Sequence, residues 1–425
     1  MSFFTSNIKK NNTIYYLLIL LGFFSSISIF ISDIIIFSIL LIWILKGNFK
    51  EKLESIKGSN FSIAIIIFFM FYVFGLFWGS WNIDSWKWIS KQALLLIIPV
   101  ILSINIPKKI IYFSLLSFLC GMFINAFVSI GTYLDFWEIY YQHYPGENIA
   151  IGFIDHFDHS VFLAFSSILI IAKLIETNNI KVRIFCFIIL ILFITSLFLS
   201  HGRAGQYVFL IMLSGFLFVN FFKKPKYLIF SVTLIIASLI VINFTSSTFK
   251  NRFHQGVKES EEFFNLLEYS SENTADVTVT DTAIGDRLTY LINYMEIVKS
   301  NLWFGCGTGN SLNEYRLLKN KIFPNVPARP PHNNYLFILC EIGLIGLLLW
   351  LNIFIQLFVD IYKNNKPSRF TIIKFMFPIM FLLICFTDEY LVNHNSTLFF
   401  CFFTSLFCLQ PAISIADFKF GNLFK

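Results

Sequence analysis

Long apolar stretches separated by short polar ones recur along this chain from residue 14 to residue 410. In hydrocarbon a backbone amide finds no water, so each crossing must satisfy its own hydrogen bonds as a helix of roughly 20 residues. About twelve stretches meet that requirement: near 14–31, 33–45, 61–78, 89–105, 110–131, 158–175, 183–200, 205–222, 227–243, 332–358, 370–387 and 395–412. The second is short and makes a hairpin with the first, turning at Ser32-Asp33, which suits a tilted or partly re-entrant pair. The pattern predicts an all-α polytopic membrane protein in three parts. Residues 1–243 hold nine helices, 244–331 a large loop and cap, and 332–425 three helices and a tail.

Two connectors break the rhythm. Residues 132–157 are aromatic and acidic, and the segment from 244 to 331 is far longer than a connector requires. Its first half, Lys258 to Asp286, has few large apolar residues after Tyr269 and many acidic ones, a composition that predicts a mobile segment. In the second half Leu288, Leu291, Met295 and Val298 recur at helical spacing. They predict an amphipathic helix outside the spans, lying near the membrane surface. Gly305, Gly307 and Gly309 end it in a turn, and PNVPARPPH fixes the approach to the next span, so a folded cap is expected over one face of the bundle.

Composition sharpens this picture. The chain is 56% hydrophobic and 13% charged, against about 25% charged in soluble domains. No small-residue cleavage pattern follows the first apolar segment, so that segment reads as a retained helix. The 7 cysteines include no CxxC pair, and only Cys306 falls in a loop expected to be water-exposed, so neither a zinc site nor a disulfide framework is indicated. Most of the 32 lysines and arginines lie on one side of the proposed topology, at Lys46–Lys57, Lys108-Lys109, Lys223–Lys226 and Lys363–Lys374, while most of the 25 acidic residues lie on the other. By the positive-inside rule both termini are cytoplasmic. The formal charge of +7 needs no nucleic acid to explain it; contact with lipid head groups uses the same basic residues.

Candidate chemistry gathers on the acidic, outer side. Arg203, in SHGRAGQYVF, stands at a helix end, where it either snorkels or pairs with an anion through its guanidinium. Gly202 and Gly205 leave room for a lipid head beside it, and His201 is a possible support. Arg287 opens the amphipathic helix, either paired with an acidic neighbour such as Asp286 or free to bind an anion. The Gly305–Gly309 turn, with Gly307 and Thr308, is either a simple turn or a set of amides facing an anion. His332 ends a proline-rich approach at the mouth of a span, where a neutral imidazole can serve as general base. Asn333 either meets substrate or caps the helix. Glu341 follows roughly 13 Å further along the axis, too deep to share an atom with His332. It suits an interior hydrogen bond, with Gly343 and Gly346 as packing residues. Asp388 and Glu389 end a later span, where either can orient His332 or Arg203 or simply face solvent. His156, Asp158 and His159 form a short polar cluster compatible with a wet interface or a metal.

GRAG at 202–205, DR at 286–287, WFGCGTGN at 303–310 and HNNYLFILCEIGLIG at 332–346 together make the chain resemble the O-antigen ligase and polymerase superfamily of bacterial cell-envelope glycosyltransferases. The resemblance spans roughly residues 60–410, with its specific motifs mainly between 200 and 346. It implies a GT-C-like fold in the bacterial inner membrane with a periplasmic active site. The implied donor is a glycan on undecaprenyl pyrophosphate. Ligases pass it to lipid A–core, whereas polymerases join repeat units. It further implies that Arg203 and Arg287 hold the pyrophosphate and that His332 activates the acceptor hydroxyl. His201-Gly202 departs from the small pair common before the arginine. Held cations and a base allow an inverting displacement without nucleotide, cofactor or metal. The ligase branch is favoured by the short arginine motif and the compact HNNYLFILCEIGLIG segment. A multispan transporter is the reading from another class, against which stands the lack of a visible inverted repeat or interrupted helix pair.

Overall fold

The computed structural model describes residues 2–137, 150–224, 283–322, 328–365 and 368–409, with the single positions 226, 229, 233, 258 and 261. Every regular element among the described residues is helical. The first group is α1 (Ser2–Phe24), α2 (Ile29–Leu45), α3 (Phe49–Lys57), α4 (Asn60–Phe74), α5 (Ile83–Ala93), α6 (Ile97–Leu102) and α7 (Lys108–Tyr133). Then follow α8 (His156–Glu176), α9 (Ile180–Leu199) and α10 (Arg203–Phe221), the cap helices α11 (Ala283–Ser300) and α12 (Ser311–Ile322), and finally α13 (Asn334–Asn364), α14 (Arg369–Ile384) and α15 (His394–Cys408).

Among the described residues seven helical stretches are long and apolar enough to cross a membrane, and an eighth is counted if the pair α2 and α3, bent by 116°, is one span. That is fewer than the twelve expected. The stretch at 227–243, the acidic segment before residue 283 and the tail beyond 409 lie outside the described residues, as does most of the loop expected at 132–157. Elsewhere the shortfall is one of length: the apolar part of α1 is only Thr13–Phe24, while α14 and α15 have 16 and 15 residues. The first hairpin turns at residues 25–28, not at Ser32-Asp33. Ser28 is the cap of α2, its hydroxyl accepting from Ile31 N–H, which moves the helix start upstream of the polar pair. The fourth span likewise starts earlier than expected, at Ile83, where Asn82 and Ser85 form a capping box.

α8 is the centre of the bundle, with α9 and α10 packed along it and α7 and α14 beside it. Lipid tails are as apolar as leucine, so burial alone does not drive these helices together; close contact does. Phenylalanine supplies it here. Phe162 stacks on Phe399 at 4.0 Å, and edge-to-face contacts join Phe165 to Phe377 and Phe403, and Phe399 to Phe377 and Phe403. The outward faces of α9 and α10 remain apolar, with Ile184, Ile188, Ile191, Ile211 and Phe218 more than half exposed. Hydrocarbon is the solvent that tolerates such surfaces. Trp78, Trp81, Trp86 and Trp303 are exposed together near the α4–α5 turn and the cap, as expected of a belt at a membrane interface.

α13 is not continuous. At Gly343 the backbone reaches φ 70°, ψ −170°, and the segment after α11 enters the break. Cys306 and Gly307 N–H donate to the carbonyls of Cys340 and Glu341, while Leu344 and Ile345 N–H donate to Leu302 and Trp303. A Cβ on Gly343 would lie 2.3 Å from the Trp303 carbonyl group, so both the dihedral and the close approach require glycine. Gly343, expected as a packing residue, is thus also the point at which this span breaks. Protein backbone fills this break, and the four hydrogen bonds across it satisfy groups that an interrupted helix would leave open.

Candidate functional site

His332 follows Pro330-Pro331 and has φ 49°, a left-handed conformation that only a minority of non-glycine residues adopt. Asn333, next along, caps α13 by accepting from Leu336 N–H at 3.0 Å, and its side-chain amide donates to the Phe386 carbonyl. Asn334 lies buried against the α14–α15 connector, where its Oδ1 accepts from Leu391 N–H at 2.8 Å and its own N–H donates to Cys385. These two asparagines therefore clamp the start of α13 to the connector that carries Asp388 and Glu389. The result is a compact node. His332 Nδ1 lies 3.2 Å from Asp388 Oδ1 and 3.9 Å from Glu389 Oε2.

The node separates its charges. Burial works to raise Asp388, but the hydrogen bond and charge of His332 outweigh it and hold the carboxyl below its usual range. Glu389 is raised to about 8, by burial first and then by the neighbouring Asp388 charge. The hydrogen bond to Asp388 raises His332, with burial and the charge of Arg287 opposing. The node thus favours the carboxylate at Asp388 and the protonated carboxyl at Glu389, and it orients the imidazole through Nδ1, leaving Nε2 to exchange a proton with a ligand. The same three side chains offer donor atoms within 4.8 Å of one another and can also converge on a divalent cation.

Arg287 lies on the exposed side of α11, close enough for its charge to act on His332 and Tyr390. Arg203 is half-buried at the first position of α10. Neither guanidinium makes an ion pair or hydrogen bond among the described residues. A pairing of Arg287 with Asp286 cannot be described, because the Asp286 side chain lies outside the described set. Gly202 and Gly205 do not open space for a lipid head: a Cβ on either would fall within 2.5 Å of Ser160, so they let α10 cross α8 closely. That crossing seats Arg203 beside the first turn of α8, whose Asp158 accepts from Asn393 just after the acid pair. The His201 carbonyl accepts from Arg203 N–H at 3.0 Å. Buried His159 reaches Ser196 Oγ at 3.0 Å inside the bundle.

The glycine turn looks inward. Gly307 N–H serves the α13 break, and Thr308 is buried, its N–H donating to the Gly75 carbonyl and its hydroxyl to that of Tyr72. The turn does present its amides to an acidic group, and that group is Glu341 of the chain itself: its carboxyl oxygens accept from Gly309 N–H, Ser311 N–H and Ser311 Oγ, capping α12. Gly307, Thr308 and Glu341 thus sit apart from the His332 node. Cys306, expected in a wet loop, is buried, with Sγ 3.1 Å from the Cys340 carbonyl. The cap helix α11 packs Tyr290, Tyr294, Ile297 and Val298 toward α12 and α13, while Leu291 and Met295 of the expected apolar stripe remain exposed. Tyrosine led this face because its hydroxyl finds buried partners: Tyr294 donates to the Arg329 carbonyl, and Tyr315 accepts from Asn293.

A family model described as O-antigen ligase matches residues 186–351, from α9 to the middle of α13. The matched stretch includes Arg203, Arg287, His332 and Glu341 but ends before Asp388 and Glu389. No curated protein matches the chain.

Proposed function

We propose that this multi-pass membrane protein is an O-antigen ligase of the bacterial inner membrane, transferring polysaccharide from undecaprenyl pyrophosphate to lipid A–core on the periplasmic side, with both termini cytoplasmic. The observation that carries this reading is the His332 imidazole held through Nδ1 by Asp388 at 3.2 Å, with Arg287 close enough for its charge to act on the ring. The family match over the stretch bearing both arginines and the histidine supports it.

In the proposed reaction His332 Nε2 takes the proton of an acceptor hydroxyl, and the oxygen attacks the anomeric carbon. The bond from that carbon to the pyrophosphate oxygen breaks, with inversion. Arg203 and Arg287 hold the charge that develops on the departing diphosphate. Asp388 stabilises the imidazolium until its proton passes to solvent, and no metal or cofactor enters the step.

The test is a gel profile of lipopolysaccharide and lipid-linked glycan from cells lacking the gene and from complemented cells. Bare core alongside accumulated long lipid-linked polymer is expected. Core capped by a single repeat assigns the chain as a polymerase instead, and an unchanged profile removes both readings.

A further inference from the structure

Beside the His332 node lies a cavity of about 220 Å³. It is bounded by Trp88 and Lys91 of α5, Phe157 of α8, and the connector residues Asp388, Glu389, Tyr390 and Asn393. Its size falls below the roughly 300 Å³ at which pockets begin to take drug-sized ligands, so a single sugar ring is the right scale. Two of its wall residues carry buried polar atoms with no partner: the Tyr390 hydroxyl, on a side chain 2% exposed, and Glu389 Oε1. Such atoms are costly to leave unmet and suit the hydroxyls of a bound ligand. Phe157 adds an apolar surface of the kind a sugar ring packs on.

The cation on this wall is the more specific feature. Lys91 Nζ lies over the Trp88 ring at 4.6 Å and makes no salt bridge among the described residues. Lys87, one turn earlier, lies over the same ring at 5.0 Å. Both belong to the start of the span Ile83–Leu102, the end remote from the basic pair Lys108-Lys109. The positive-inside bias therefore does not account for them. Neither Arg203 nor Arg287 lines this cavity, so the diphosphate assigned to those arginines lies outside it.

Resting on the transferase reading above, we propose that this cavity is the acceptor subsite: it takes the terminal sugar that bears the attacking hydroxyl, and Lys91 recognises an anionic substituent, phosphate or carboxylate, on the acceptor. Asp388 and Glu389 then face two ways, toward His332 and toward the ring it deprotonates.

The experiment is transfer by the purified full-length protein in detergent, with donor and acceptor varied separately. The probes are lipid A–core, the same material dephosphorylated with hydrofluoric acid, and a third sample with its carboxyls reduced. Lys91→Gln is expected to raise acceptor KM about tenfold, as loss of one charge-assisted contact does, with kcat and donor KM within about twofold. Lys91→Arg should restore acceptor KM. The acceptor on which wild type and Lys91→Gln no longer differ identifies phosphate or carboxylate as the group read. An unchanged acceptor KM, or an equal rise in donor KM, overturns the subsite while leaving the transferase reading standing. If wild type transfers glycan to none of the acceptors, both fall together.

Discussion

Glu341 and Asp388 are both carboxylates set against the first turns of α13, and the fold treats them in opposite ways. Glu341 is fully buried and accepts three hydrogen bonds from the segment that plugs the helix break. Its lone pairs are taken by amides and a hydroxyl of the chain itself, so it is an element of architecture that binds the cap to the bundle. Asp388 instead faces an imidazole on one side and a cavity on the other, beside a glutamate whose second oxygen has no partner. Satisfied anions stabilise a fold, whereas incompletely satisfied ones beside a cavity can exchange protons with a ligand. The distinction depends on which neighbours complete each group's hydrogen bonds, not on residue type.

His332→Ala is expected to have the largest effect, lowering kcat by about 10²–10⁴-fold, the usual contribution of a general base, with the melting temperature in detergent close to wild type. Retained transfer would remove the base assignment. Next come Arg203→Ala and Arg287→Ala, each expected to lower transfer by about 10²–10³-fold, the scale seen when a group stabilising developing charge is deleted. Unequal effects would sharpen the comparison: if only Arg287→Ala is severe, the donor lies wholly on the cap side of the node. Glu341→Ala should show the reverse pattern. It strands the N–H groups of Gly309 and Ser311, at about 1–3 kcal/mol for each buried donor left unmet, so thermal stability should drop while turnover per folded molecule stays within a few-fold.

What could be read from the sequence divides along the same line. The helical membrane character and most span positions followed from apolar run length, because lipid imposes one solution on every crossing. His332 and the two arginines stood out as candidates because each was expected at a helix end beside helix-breaking or small residues; α11 begins at Ala283, so Arg287 lies one turn inside it rather than opening it. The pairing of His332 with Asp388 was one of several open possibilities, since their contact crosses from one helix start to another connector. The break at Gly343 was missed because IGLIG reads as ordinary apolar helix; only the segment at 302–307, distant in sequence, supplies the backbone partners that make the kink tolerable. The protein-facing side of α11 was not read from the sequence for a related reason: its tyrosines break the apolar stripe, and only the cap supplies the partners of their hydroxyls.

A smaller effect tests how Asp388 acts. Its hydrogen bond raises His332, and the base must be neutral to accept a proton, so the acid limb of kcat/KM follows that raised value. Asp388→Asn removes the charge that favours imidazolium; the His332 value falls, and the acid limb must move to lower pH even as the maximal rate drops. A limb that stays in place would mean that Asp388 serves the connector rather than the imidazole.

The smallest expected change is none at all, on treating the purified protein with EDTA. The donor atoms of His332, Asp388 and Glu389 are close enough together to bind a cation, so proton sharing and metal binding compete for the same geometry. If protons occupy the node, chelation leaves the rate within about twofold, the Asp388→Asn shift of the acid limb persists, and the pH profile is insensitive to added zinc or manganese. If a metal occupies it, chelation abolishes transfer and one of those ions restores it, since imidazole with two carboxylates suits both. The second outcome would move His332 from base to ligand. It would also turn the contrast with Glu341 into one between a carboxylate satisfied by backbone amides and a pair satisfied by a metal.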